Sequence, residues 1–215
     1  MQKLNKSRIW GGFALAGLLY AALFILPGFQ SGAEKTAVVD MNQIIQGSNL
    51  GKANTDRLNK AVASRRGLIE FVATFKVLTL EQAQSLRSLE LKETMTETDK
   101  QQADKIKADV RAADQKFREL SQKSNPSEAD RQLIQEYANR SATMNQTLER
   151  WNQEFTDELT DLQDRLRQQT LEKAKAAVDE VAKKQGISVV FEKTFAVYGA
   201  NDLTDAATKA MNAKP

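Results

Sequence analysis

Five carboxylates crowd one stretch of the chain: Glu154, Asp157, Glu158, Asp161 and Asp164. On a helix, Asp157, Asp161 and Asp164 fall near one face, because residues three and four apart are neighbours there. Clustered oxygens of this kind suit a hard cation. Arg165 and Arg167 adjoin them, and the same pattern describes an acidic, solvated helix face. Paired carboxylates also hydrolyse glycosides, but only across a walled cleft. A second candidate is Gly47-Ser48-Asn49-Leu50-Gly51-Lys52-Ala53, which has the look of a phosphate loop. Its glycines are one residue too close, and Ala53 stands where Ser or Thr would meet magnesium; a helix break or turn fits better. The chain has no His and no Cys, which removes Ser-His-Asp chemistry, thiol nucleophiles and the usual zinc sites. No catalytic, metal or cofactor-binding set emerges, and the expectation is a protein that is not an enzyme.

The element that carries the carboxylates is a long helix, expected over residues 126–185. Ile134, Tyr137, Met144, Leu148, Trp151, Phe155, Leu159, Leu162, Leu166, Ala174, Ala177 and Val181 recur at a mean step near 3.6 and form one apolar stripe. Trp151 and Phe155 belong to that stripe, as core or as a grip on a partner. Some 60 residues at ~1.5 Å each make a rod of roughly 90 Å. A rod of that length needs a partner helix, and the preceding segment supplies one.

That segment turns helical from Asn54. Leu68, Ile69, Phe71, Val72 and Phe75 form its densest apolar run, either a surface for an unfolded client or packing inside the arm. Thr79 with Gln82, and Thr96 with Asp99, mark new helix starts. Ile106, Val110, Ala113, Phe117 and Leu120 step as a coiled-coil face. Pro126 follows Asn125, and Asn125 or Ser127 can cap the next helix. The expectation is an antiparallel hairpin arm over 52–185 with its tip near 124–127. Its descending half is too long by more than ten residues, so a kink or insertion is expected within 66–95.

The ends differ in kind. Residues 1–33 carry Lys3, Lys6 and Arg8 and no acid, then an uncharged apolar run over 9–26, then Pro27-Gly28 and Ser31-Gly32-Ala33. That is the anatomy of a secretory signal peptide cleaved after Ala33; retained, the same run is an N-terminal membrane anchor. Both place the remainder outside the cytoplasm. Beyond residue 33 the chain has 28 basic and 28 acidic side chains, so no nucleic-acid-binding surface is indicated. Residues 36–40 read as a strand, as do 187–191 and 195–198, with Glu192-Lys193-Thr194 a turn or bulge between the last two and Gly186 stopping the long helix. Asp202 with Asp205 is expected to cap a last short helix.

The hairpin brings the ends together. The fold is therefore α+β, mainly α: a long helical hairpin on a small three-stranded β base formed by 34–51 and 186–215. So small a base rarely buries enough surface to be stable alone, and open strand edges invite pairing with other chains. Val38, Val39, Val189, Val190, Phe191, Val197 and Tyr198 are the expected oligomerisation residues.

Ala37-Val38-Val39-Asp40-Met41 after a leader resembles the first strand of the Skp/OmpH family of periplasmic chaperones. Residues 187–191, Ala196-Val197-Tyr198, Asp202-Leu203-Thr204-Asp205 and Met211-Asn212 resemble its last strands and closing helix. The resemblance implies a homotrimer whose three arms enclose a cavity, holding unfolded outer-membrane proteins without ATP in the periplasm. The family's better-known members are strongly basic, unlike this neutral chain, which weakens any attraction to acidic lipid surfaces. A structural or adaptor coiled-coil protein, anchored through residues 9–26 and without chaperone activity, is the alternative.

Overall fold

A computed structural model describes residues 35–196 and 201–213. The expected signal peptide or anchor, Val197 and Tyr198 lie outside the described residues. In chain order the elements are β1 (Thr36–Val39), α1 (Met41–Gly47), α2 (Asn49–Thr74), α3 (Leu80–Glu90), α4 (Glu97–Ser121), α5 (Glu128–Gln185), β2 (Val189–Glu192) and α6 (Thr204–Asn212).

The long helix α5 runs 58 residues without interruption. Ser127 opens it with a capping box, its hydroxyl accepting from the Asp130 N–H while the Asp130 carboxylate accepts from the Ser127 N–H. Gly186 closes it at φ 65°, a left-handed conformation that costs glycine nothing.

The surplus of the descending arm is a fold-back, which the sequence located without revealing its direction. Contacts along α5 trace the path. Asn54 of α2 donates to the Leu166 carbonyl and the Thr170 hydroxyl, Arg65 reaches Glu158, and the Val77 carbonyl accepts from Arg140. Then α3 runs back, and its Arg87 meets Glu154 and Glu158. Finally α4 runs outward again, where Phe117 stacks edge-on against Tyr137 at 5.4 Å and Lys123 pairs with Asp130. Capping boxes at Thr79 with Gln82 and Thr96 with Asp99 begin α3 and α4. Each satisfies backbone N–H groups that the helix cannot, so each fixes where the chain resumes after reversing.

Two apolar cores result. The arm's core joins α2, α3, α4 and α5 through Val72, Leu78, Leu86, Val110, Met144 and Trp151, all buried. The base core gathers Ala37 and Val39 of β1, Ile44 of α1, Ala174, Ala177 and Val181 of α5, and Leu203, Ala207 and Met211 around α6. The stretch between them is polar: on α5 only Leu166 and Thr170 are buried there.

The sheet has two strands among the described residues. β1 and β2 are parallel, with Val38 opposite Phe191 and Val39 opposite Glu192. The strand expected from Phe195 does not begin there. The Glu192 carbonyl accepts from both the Phe195 and Ala196 N–H groups, at 2.9 and 3.2 Å, and closes a turn over 193–195. The place on the far side of β1 is taken by a single bridge at Asp202, where Val38 donates to Asn201 and accepts from Leu203.

Gly47 to Gly51 forms the junction of α1 and α2. The Ser48 hydroxyl accepts from the Gly51 N–H at 2.9 Å. A Cβ on Gly51 would stand 1.9 Å from the Ile45 carbonyl oxygen, so this glycine is required by close backbone approach and not by a phosphate.

Candidate functional site at the base and along the arm

At the base, strand alternation divides the apolar residues. Ala37, Val39 and Val190 pack towards the helices. Val189 and Phe191 face outward and are exposed by 37% and 47%. Val38, the register partner of Phe191, is itself buried. In the turn after β2, Phe195 is 88% exposed. Of the seven expected oligomerisation residues, the structure thus brings Val39 and Val190 into one core, buries Val38 outside it, and sets Val189 and Phe191 on the open face. Phe195 was read only as part of a strand, and no local pattern marks its exposure.

Asp202 fastens the base. Its carboxylate pairs with Lys193 at 2.6 Å and accepts from the Thr204 N–H and hydroxyl at 2.9 and 2.6 Å. The Thr204 hydroxyl in turn accepts from the Asp40 N–H. The Lys193 ammonium, then the Thr204 donors, hold the Asp202 carboxyl at about 2, and Asp202 raises the Lys193 pKa. The expected Asp202–Asp205 cap is replaced by this arrangement: α6 starts at Thr204, with Leu203 at its N-cap position and no side-chain cap. Asp202, Leu203 and Thr204 thereby join the end of β2, the edge of β1 and the start of α6.

In the arm, the run expected either to meet a client or to pack divides too. Leu68 and Val72 are buried at 3% and 0%, while Ile69, Phe71 and Phe75 are half-buried against the same core. Phe71 and Phe75 lie 4.9 Å apart, with Lys107 and Arg111 each 5.8 Å from the Phe71 ring. Trp151 and Phe155 are core, at 1% and 4%. Arg87 of α3 lies over both rings, 5.5 and 5.0 Å from their centroids, and bonds to Glu158 at 2.9 Å and to Glu154. Arg65 joins the same Glu158 at 2.7 Å and stands 5.5 Å from the Phe155 ring. Two of the five clustered carboxylates are therefore ion-pair partners that hold α2 and α3 to α5. Asp157, Asp161 and Asp164 are exposed, and no group of His, Cys, Asp or Glu among the described residues is placed to hold a metal. Sequence reading missed Arg65 and Arg87, because their role depends on the direction of α3.

Beside these residues, a groove of about 1040 Å³ runs between α2 and α5 where the arm lacks an apolar core. Arg57, Lys60, Arg65 and Arg165 line it with Glu158, Asp161 and Asp164. With Asp56, Lys92 and Glu93 also in its lining, its basic and acidic side chains balance. Among the described residues, no helix is long and apolar enough to cross a membrane.

Residues 35–211 match a family model described as outer membrane protein (OmpH-like), a span covering the base and the whole arm. No curated protein and no solved structure gave a match.

Proposed function

The chain belongs to the OmpH-like outer membrane protein family, and from that premise we propose that it is an ATP-independent periplasmic holdase for unfolded outer-membrane or other envelope proteins. The family is periplasmic and its members are chaperones rather than enzymes. The observation that carries the reading is the extent of the match, which takes in both the arm and the base that would present it to a client.

The physics of the arrangement supports it. Copies meet through the open sheet face at Val189 and Phe191 and project their arms together, as a trimer on the family's pattern. Residues 34–51 and 186–215 serve as the assembly unit and 52–185 as the arm. An unfolded β-barrel protein exposes strand edges and apolar side chains that associate with one another unless shielded. Arms enclosing such a chain need only many weak contacts and no shaped pocket. The contacts proposed on the arm are the half-buried edges of Ile69, Phe71 and Phe75, flanked by the cations of Lys107 and Arg111. Leu68 and Val72 support those edges from inside.

The test uses purified residues 34–215, the proposed mature form. Light scattering measures the assembly, and a urea-unfolded outer-membrane protein is then diluted into it. A trimer that keeps the client soluble at near-stoichiometric ratio is the expected result. A trimer that lets the client aggregate rejects the holdase and favours an envelope adaptor anchored through residues 9–26.

A further inference from the structure

Where the end of α3 folds back against α5, the two helices leave a pocket of about 410 Å³ between them. Trp151 of α5 and Leu91 at the end of α3 give it apolar walls, and Arg87, Lys92 and Arg150 give it charge. Its other lining groups, Gln84 and Ser88, are neutral. Among the described residues no carboxylate lines it, whereas the groove between α2 and α5 is lined by both signs. Separate contacts bring the cations there. Arg87 lies over Trp151 and bonds to Glu154 and Glu158. Lys92 is held at 2.6 Å by Asp99, which also caps α4. Arg150 meets Glu154 at 3.5 Å and is 57% exposed. These partners do not exhaust the donors. A guanidinium has five N–H donors and an ammonium three; Arg87 uses two on the carboxylates and Lys92 one. The Arg150 contact is longer than a charge-assisted hydrogen bond. The C-terminal end of a helix repels an anion, but here the Arg87 and Leu89 carbonyls accept from the Leu91 and Lys92 N–H groups.

We propose that this pocket binds a carboxylate of an unfolded polypeptide, with the apolar side chain next to that carboxylate lying against Trp151 and Leu91. The inference rests on the holdase reading and names one chemical feature that the arm takes from its client. Guanidinium forks match a planar carboxylate through two parallel N–H groups. Arg87 is already oriented by its ring contact and ion pairs, so it loses little freedom when an anion arrives. The volume stands near the lower end of the ~300–1,000 Å³ usual for binding clefts, room for a residue or two and not for a folded partner. Strands with one buried face alternate apolar and polar residues. An unfolded chain built of such strands carries carboxylates with apolar neighbours on either side, which is the pairing the pocket accepts. A chain end carrying an apolar last residue presents the same chemistry.

Trp151 itself reports on the pocket. The chain has two tryptophans, and Trp10→Phe leaves Trp151 alone in the full-length protein. Its emission is followed as three peptides are added: acetyl-Ala-Phe-Glu-Ala-amide, the same amide with Gln in place of Glu, and acetyl-Ala-Phe-Gln-Ala ending in a carboxylate. A saturable shift with a carboxylate-bearing peptide and none with the Gln amide is the expected result, and the peptide that responds tells side chain from chain end. Arg150→Gln should keep the helical circular dichroism and weaken binding about threefold to fivefold, the worth of an exposed ion pair. Arg150→Glu, which sets a carboxylate at the pocket, should abolish the shift. Equal binding of the Gln amide, equal occupancy by inorganic phosphate, or binding unchanged in Arg150→Glu each overturns the assignment. No shift from any peptide, in a protein that keeps an unfolded outer-membrane protein soluble, overturns the pocket and leaves the holdase standing. A shift from the carboxylate peptides, in a protein that lets that client aggregate, supports the pocket and rejects the holdase.

Discussion

The two apolar cores are built on opposite plans. The arm's core draws on large side chains, among them Leu86, Met144, Trp151 and Phe155, from a continuous stretch of chain. Among the described residues, half of the base core's buried side chains are alanines, Ala37, Ala174, Ala177, Ala182 and Ala207, and the core draws on both ends of the sequence. An alanine buries little area, and burial contributes about 25 cal/mol per Å². The arm is therefore closed around its own core, while the base leaves Val189, Phe191 and Phe195 outside. The contrast teaches where each region's stability resides: the arm's in a core of large side chains, the base's in a smaller core that leaves apolar groups outside.

Breaking the arm's side of this contrast should have the largest effect. Trp151→Ala removes the largest fully buried side chain and should cost about 3–5 kcal/mol, read as lost hydrogen-exchange protection in α2 to α5 with the base less affected. Equal loss in both regions would mean the cores are not separable. Gly51→Ala strikes the base, where the added methyl meets the Ile45 carbonyl; a cost of ~1–3 kcal/mol is expected, with exchange rising first in α1, β1 and α6. Arg87→Ala should come next, at about 1–2 kcal/mol for a partly exposed cation over two rings. Melting should show α3 loosening while α5 stays helical, and Arg87→Lys should restore only part of the loss, because lysine cannot bond both carboxylates in one plane.

Asp202→Asn should have the smallest effect at neutral pH and the clearest one in acid. The folded carboxyl titrates at about 2 and its ordinary value is 3.8. A depressed carboxyl contributes stability in full above the ordinary value and loses it as pH falls towards the folded one. Protection in β1 and α6 should thus decline between pH ~4 and 2 in the parent. In the variant it should begin lower and change less over that window. An identical acid profile in both proteins would sever Asp202 from the base.

Much of the frame is legible because it is written in local patterns. The α5 stripe, the boxes at Thr79, Thr96 and Ser127 and the stop at Gly186 each depend on residues within a turn of one another. The stripe's gaps at Thr147 and Thr170 are filled by the threonines themselves, which bury their hydroxyls by donating to the Thr143 and Leu166 carbonyls one turn back. Periodicity counts such residues as polar and passes over them. The direction of α3 is not legible, since a short amphipathic helix packs equally well running either way until its neighbours are known. Arg65 and Arg87 become clamps only once that direction is fixed. The turn after β2 is legible at Glu192-Lys193-Thr194, but its reach to Phe195 is not, because the β-rich composition there reads as strand while the Glu192 carbonyl closes the turn.

The parallel pairing of β1 with β2 also sets an order of events. Val39 precedes its partner Glu192 by the whole length of the arm, and the Asp40 N–H waits for Thr204, 164 residues later. The arm's contacts all lie between, so the arm can fold as the chain emerges, whereas closing the base joins distant segments and comes last. Only a chain made past β2 and α6 can close the sheet. A chain cut short of them carries the arm and leaves β1 without its partner, so a finished base marks a chain that has been read through.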